Sequence, residues 1–245
     1  MSPHRSIATT HGQLDDHYMS NALDRAGINF SGDKISIEGL SDGRSGARVD
    51  RVVCGENSWV VKQAPVSTWQ REYTGNQGEG PMWLSGMFDE LPQSIECPIL
   101  DAAYHEENRA WWLLMRDVST GICQRGKFGE AEVLILWRGL SRLHASHWGH
   151  KQRLHELPIV DVVQTTTVHA EPAACVAGAP PRENWVPRVA EEFGPLKVLL
   201  PSFLELISPQ DADFYLSLTQ NRDWHRTLDL ATPTLLHGDV RRASL

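Results

Sequence analysis

Two short strings in this 245-residue chain carry side chains suited to chemistry: Val60-Val61-Lys62 and, much later, Leu235-Leu236-His237-Gly238-Asp239. Lys62 closes a β-branched run and follows a loop with glycines at 39, 43 and 46. A lysine held on a rigid strand, beside a loop that exposes backbone N–H groups, can hold a polyphosphate. The same lysine also suits an ordinary solvated strand end, and the glycine spacing is not G-x-G-x-x-G. In the second string an apolar segment delivers His237, Gly238 and Asp239 into a loop, where a carboxylate can meet a substrate hydroxyl and accept its proton. His237 would then fix the loop backbone. The tripeptide equally suits a surface turn.

Other candidate groups fit bland roles better. His144, His147 and His150 recur at three-residue steps, but no local cysteine or carboxylate joins them as a metal ligand set; they read as solvated residues at a helix C-terminus. The four cysteines form no C-x-x-C pair, which argues against a zinc knuckle or a thioredoxin-type site. The nine tryptophans, Trp111 and Trp112 among them, read as packing residues rather than a cage. The string RRASL at 241–245 resembles a basic-directed phosphorylation site, a pattern common by chance. No G-x-S-x-G, H-E-x-x-H or P-loop motif is present.

The elements that must position Lys62 come first in the chain. Residues 1 to about 35 are polar and weakly patterned, with one short helix expected around Leu14 to Ala26. A strand near Lys34 to Glu38 feeds the glycine loop, and alternating β-branched residues on either side of Cys54-Gly55-Glu56-Asn57 predict a hairpin ending at Lys62. A helix broken by glycines is expected from about Thr68 through Met87, with Pro81 restarting it. Two more strands should flank the turn at His105-Glu106-Glu107-Asn108, the second over Ala110 to Met115. Together these predict a small antiparallel sheet with a helix on it. From Glu130 the pattern turns helical: Val133, Leu136, Trp137, Leu140 and Leu143 recur at three- and four-residue steps. Residues 158 to 185 read as irregular, and helices follow near Val186 to Leu200 and after Ser208-Pro209-Gln210-Asp211, where Ser208 can cap. Strands first and helices second predict an α+β architecture in two lobes, residues 1–116 and 117–245.

This order of elements, with the motifs VVK, WWLLMRDVS, LSRLH and LLHGD, resembles the aminoglycoside phosphotransferase and choline kinase-like family, from about residue 35 onward. The resemblance implies a protein-kinase-like fold: an N-lobe of antiparallel sheet plus helix and a mostly helical, here incomplete, C-lobe. It implies ATP and Mg²⁺ as cofactors and transfer of the γ-phosphate to a hydroxyl of a small molecule. Asp239 then looks like the catalytic aspartate, Lys62 like the lysine on the α- and β-phosphates, and the loop at Gly43 to Gly46 like the phosphate cover. Glu79 is the implied partner of Lys62, with Glu72 the alternative. Adenine would lie against the linker from Met115 to Val118.

Position 244, where the family places a magnesium-ligating asparagine, is Ser244 here, a shorter and weaker oxygen ligand. The family's second metal-binding aspartate and its last helices would follow Leu245, so a truncated chain with little or no transfer activity is expected, or a kinase-like remnant that binds nucleotide or a protein partner. A net charge of −8 without a basic stripe argues against nucleic acid and leans toward a cationic acceptor. Cysteine usage, the lack of a basic-then-apolar leader and the lack of any run of about 18 apolar residues predict a cytoplasmic chain with no membrane partner.

Overall fold

A computed structural model of the protein describes residues 5–30, 34–42, 47–66, 78–121, 129–159, 194–220 and 232–235. They form an α+β structure around one six-stranded mixed sheet. In chain order the strands are β1 (Ala8–Thr10), β2 (Ser36–Asp42), β3 (Arg48–Cys54), β4 (Asn57–Pro65), β5 (Ile99–His105) and β6 (Ala110–Arg116). The helices are α1 (Asp16–Arg25), α2 (Glu79–Leu84), α3 (Glu130–Ser146), α4 (Lys151–Glu156), α5 (Gly194–Leu206) and α6 (Pro209–Gln220), with 3-10 turns at Met87–Glu90 and Ser119–Gly121.

Across the sheet the order is β1-β5-β6-β4-β3-β2. Every neighbour is antiparallel except β1, which pairs parallel to β5 with Ala8 opposite Ala103 and Thr10 opposite His105. The expected sheet was purely antiparallel. A three-residue strand shows too little alternation to be seen in sequence, and only its pairing with β5 defines it.

Side-chain alternation divides the sheet into two faces. Val52 and Cys54 of β3, Trp59 and Val61 of β4, and Trp112 and Leu114 of β6 pack with Tyr18, Met19, Ala22 and Leu23 of α1 in one buried cluster. Asp15 starts α1 by accepting a hydrogen bond from the Tyr18 N–H. The alternate residues of β6, Trp111 and Leu113, join Ala102 in a cluster on the opposite face, beside Trp83 and Leu84 of α2. Strand β6 is thus covered on both sides, which explains its unbroken apolar run.

Compact packing separates the described residues into two units. One holds the sheet and the chain through Pro158, together with residues 234–235. The other holds residues 159, 194–220 and 232–233. Helix α3 belongs to the sheet's unit. Its apolar stripe is only half used: Leu140 and Leu143 are buried, whereas Trp137 is 60% exposed. A Cβ on Gly139 would lie 3.6 Å from Ile95, so the helix backbone runs close to Ile95 there. In the second unit Ser208 Oγ accepts from the Asp211 N–H at 3.1 Å, as expected of a cap, and Phe203 meets Tyr215 edge-on at 5.5 Å. Among the described residues no helix is long and apolar enough to cross a membrane.

Candidate functional site

Lys62 sits near the end of β4, opposite Val49 of β3 and Leu113 of β6. Directly paired residues share a face of a sheet, so Lys62 projects on the α2 side, away from the α1 core. Its Nζ donates to Glu79 Oε2 at 2.6 Å. Glu79 is the first residue of α2, where a carboxylate is favoured by the helix dipole. Pro81 lies in the same first turn, where its missing N–H is no loss. Both side chains are part-exposed, and such a pair contributes only about 0–1 kcal/mol to stability. Its interest is therefore positional.

The approach of α2 to the sheet depends on Gly80. A Cβ there would lie 2.2 Å from Cδ2 of Trp111, closer than any side chain tolerates. With only hydrogen at that position the helix rests against the indole, and Glu79 comes within reach of Lys62.

A second polar anchor lies past the end of β6. Asp117 accepts from the Ser119 N–H at 2.9 Å, from Ser58 Oγ at 2.9 Å and from Arg51 Nε at 2.9 Å. The hydrogen bonds from Ser119, with that from Ser58 and the positive charge of Arg51, outweigh burial and hold this carboxyl down to about 2. The linker segment after β6 is thereby tied to β3 and β4. Met115, just before it, is half-buried, and Val118, just after, is exposed.

Of the residues expected to carry chemistry, the structure brings together Lys62 and Glu79, with Met115 on the same face of the sheet. Gly43, Gly46, Glu72, Asp239 and Ser244 lie outside the described residues, as does His237. The segment leading to His237 is partly in view: Leu235 is buried, and Thr234 Oγ1 donates to the His144 carbonyl at 2.6 Å, at the C-terminal end of α3. His147, expected to be solvated, is buried instead, with Nδ1 donating to the Leu143 carbonyl at 3.1 Å. Among the described residues no group of three or more His, Cys, Asp or Glu could hold a metal ion. Burial pushes the Cys97 thiol up.

Sequence reasoning missed Arg51, Ser58 and Asp117 as a unit. The D-x-S string at 117–119 was a usable signal, since Asp side chains accept from the N–H two residues on. Its partners on β3 and β4 follow only from strand register. No protein-family model matches the chain, and comparison with curated proteins and with solved structures gives no match.

Proposed function

We propose that this chain binds ATP through the α2 side of its sheet and belongs to an ATP-dependent phosphotransferase of the aminoglycoside phosphotransferase type, a two-lobed kinase-like protein acting on a small-molecule hydroxyl. The observation that carries the reading is the Lys62–Glu79 pair: a strand-borne ammonium, fixed by a helix-borne carboxylate, on the less covered face of an antiparallel β2-β3-β4 unit. Phosphoryl transfer is mainly positioning and charge neutralisation, and a lysine held this way can meet the α- and β-phosphates. The loop at Gly43 to Gly46 would cover those phosphates, and the linker from Met115 to Val118 would take the adenine. Asp239 would orient the acceptor hydroxyl, and Mg²⁺ would neutralise the transferring group with help from Ser244.

Serine at 244, where the resembling family has asparagine, favours a second reading: nucleotide binding without transfer. Calorimetric titration with ATP and Mg²⁺ tests the common part of both. Wild-type protein should bind, and Lys62→Met should weaken binding about tenfold or more, the loss expected for one charge-assisted phosphate contact. Absence of binding by the wild type at millimolar ATP would sink both readings. Phosphate transfer to a panel of amino alcohols and aminoglycosides, followed by ³¹P NMR, separates them.

A further inference from the structure

Helix α2 spans six residues, too few to persist alone, and its N-cap Gly78 makes no side-chain cap. Yet the position of Glu79 depends on it. Arg5, 78 positions before Trp83, supplies a fastening at the other end of this helix. Its Nη1 donates to the Trp83 carbonyl at 2.7 Å, its Nη2 donates to Asp89 Oδ1 at 2.8 Å, and its guanidinium lies 4.1 Å from the centre of the Trp83 ring. A cation at a helix C-terminus is favoured by the dipole, and a guanidinium over an indole adds a cation–π contact. The arm that carries Arg5 is itself anchored. It continues into β1, paired along β5, and then reaches Gly12, whose carbonyl accepts from His105 Nε2 at 2.8 Å. Asn108 N–H donates to the other ring nitrogen of His105, so both nitrogens are engaged.

We infer that Arg5 is a positioning residue: through the Trp83 and Asp89 contacts the N-terminal arm holds α2 in register, and so holds Glu79 against Lys62. Three features join in this inference. The arm is fixed to the rigid sheet at β1, Arg5 grips the last turn of α2 and the 3-10 turn after it, and the first turn of α2 carries the carboxylate that reaches Lys62. Arg153 grips the same 3-10 turn through Glu90, with Nε at 3.1 Å, so that turn is held from two distant parts of the chain. Loss of the Arg5 grip removes the polar restraint on the end of α2 and leaves only the packing of Trp83 and Leu84 on the Ala102, Trp111 and Leu113 cluster. The consequence for nucleotide affinity rests on the proposed function; the positional claim does not.

The test uses the full chain and two readouts. Proton exchange at the Lys62 ammonium, followed by ¹⁵N NMR, reports the ion pair without nucleotide, and calorimetry reports MgATP affinity. With near-ultraviolet circular dichroism unchanged, Arg5→Ala should speed Lys62 exchange about tenfold, the combined worth of a helix-end cation and a cation–π contact. Glu79→Gln should abolish protection altogether, and Arg5→Ala should add nothing in the Glu79→Gln background. Val52→Ala loosens the α1 core without touching α2 and serves as the control for general destabilisation. Unchanged exchange in Arg5→Ala, or equal acceleration in Val52→Ala, overturns the inference. If Arg5→Ala does not fold, Arg5→Lys keeps the charge but loses the fork, and should show the same change at smaller amplitude. Faster exchange together with no ATP binding by the wild type would remove the nucleotide reading and leave the role of Arg5 standing.

Discussion

Val61 and Lys62 are adjacent on β4, and their surroundings differ in every respect. Val61 lies with Val52, Trp112 and Leu114 under α1, all at 2% exposure or less. Lys62, one residue on, projects to the other face, where it pairs with Glu79 of α2 and where, toward the start of the same strand, Arg51 and Ser58 bond Asp117. One face of the sheet removes apolar area from water; the other arranges charge. Because strand side chains alternate, a slip of one residue would exchange the two sets, so the packed face fixes the register that presents Lys62. The packed face is not wholly apolar. Tyr18 Oη and Trp112 Nε1 are buried there without hydrogen-bond partners among the described residues, and burial, followed by the Asp101 carboxylate, pushes the Tyr18 phenol up. Asp101 itself is held by Arg25 of α1, whose Nη2 donates at 2.7 Å.

The sharpest way to break the comparison is to truncate one residue on each face. Leu23→Ala on α1 removes a fully buried side chain from the packed cluster and should cost about 3 kcal/mol in urea unfolding. Lys62→Met should cost less than about 1 kcal/mol, because the pair it removes is part-exposed. Equal losses from the two variants would show that the charged face carries the fold as much as the packed one.

Gly80→Ala probes the same face through shape rather than charge. The added methyl meets the Trp111 ring, a large group already packed against Ala102 and Leu113, so α2 must move outward. We expect a loss of about 2 kcal/mol, typical of overpacking. The Lys62 ammonium protons should lose protection at the same time. A variant as stable as the wild type, with the Lys62–Glu79 pair intact in its NMR spectrum, would show that the close approach of α2 is not what places Glu79.

Much of this framework was legible in the sequence because it repeats with a period. The β3–β4 and β5–β6 hairpins showed as alternation around turn residues, and α3 showed as a three- and four-residue stripe. The exposure of Trp137 was not legible: periodicity marks a face, but the neighbours available to cover it lie elsewhere in the chain. Strand β1 was hidden by its length. The pairing of Glu79 with Lys62 came from the family resemblance, since glycines and a proline around residue 80 obscure any helical signal. Arg5 and Asp117 act across long sequence separations, and only the register of the sheet brings their partners to them.

Asp117→Asn gives a smaller effect than Leu23→Ala, and the most specific one. With an unfolded value of 3.8 and a folded value of about 2, the Asp117 carboxyl binds its proton less readily in the folded state. Its contribution is therefore present in full above about pH 4 and is lost as pH falls through about 2. Near neutrality the asparagine variant keeps one acceptor oxygen for the donors from Ser119, Ser58 and Arg51 but loses the charge, which should cost about 1–2 kcal/mol. Near pH 2 the wild-type carboxyl is itself becoming neutral, and the gap between the two proteins should shrink toward zero. Denaturant unfolding of both proteins from pH 7 down to 2 checks this, because carboxylates common to the pair cancel in the difference. A gap that stays constant across the range would mean that the linker is held by the shape of the Asp117 turn and not by its charge.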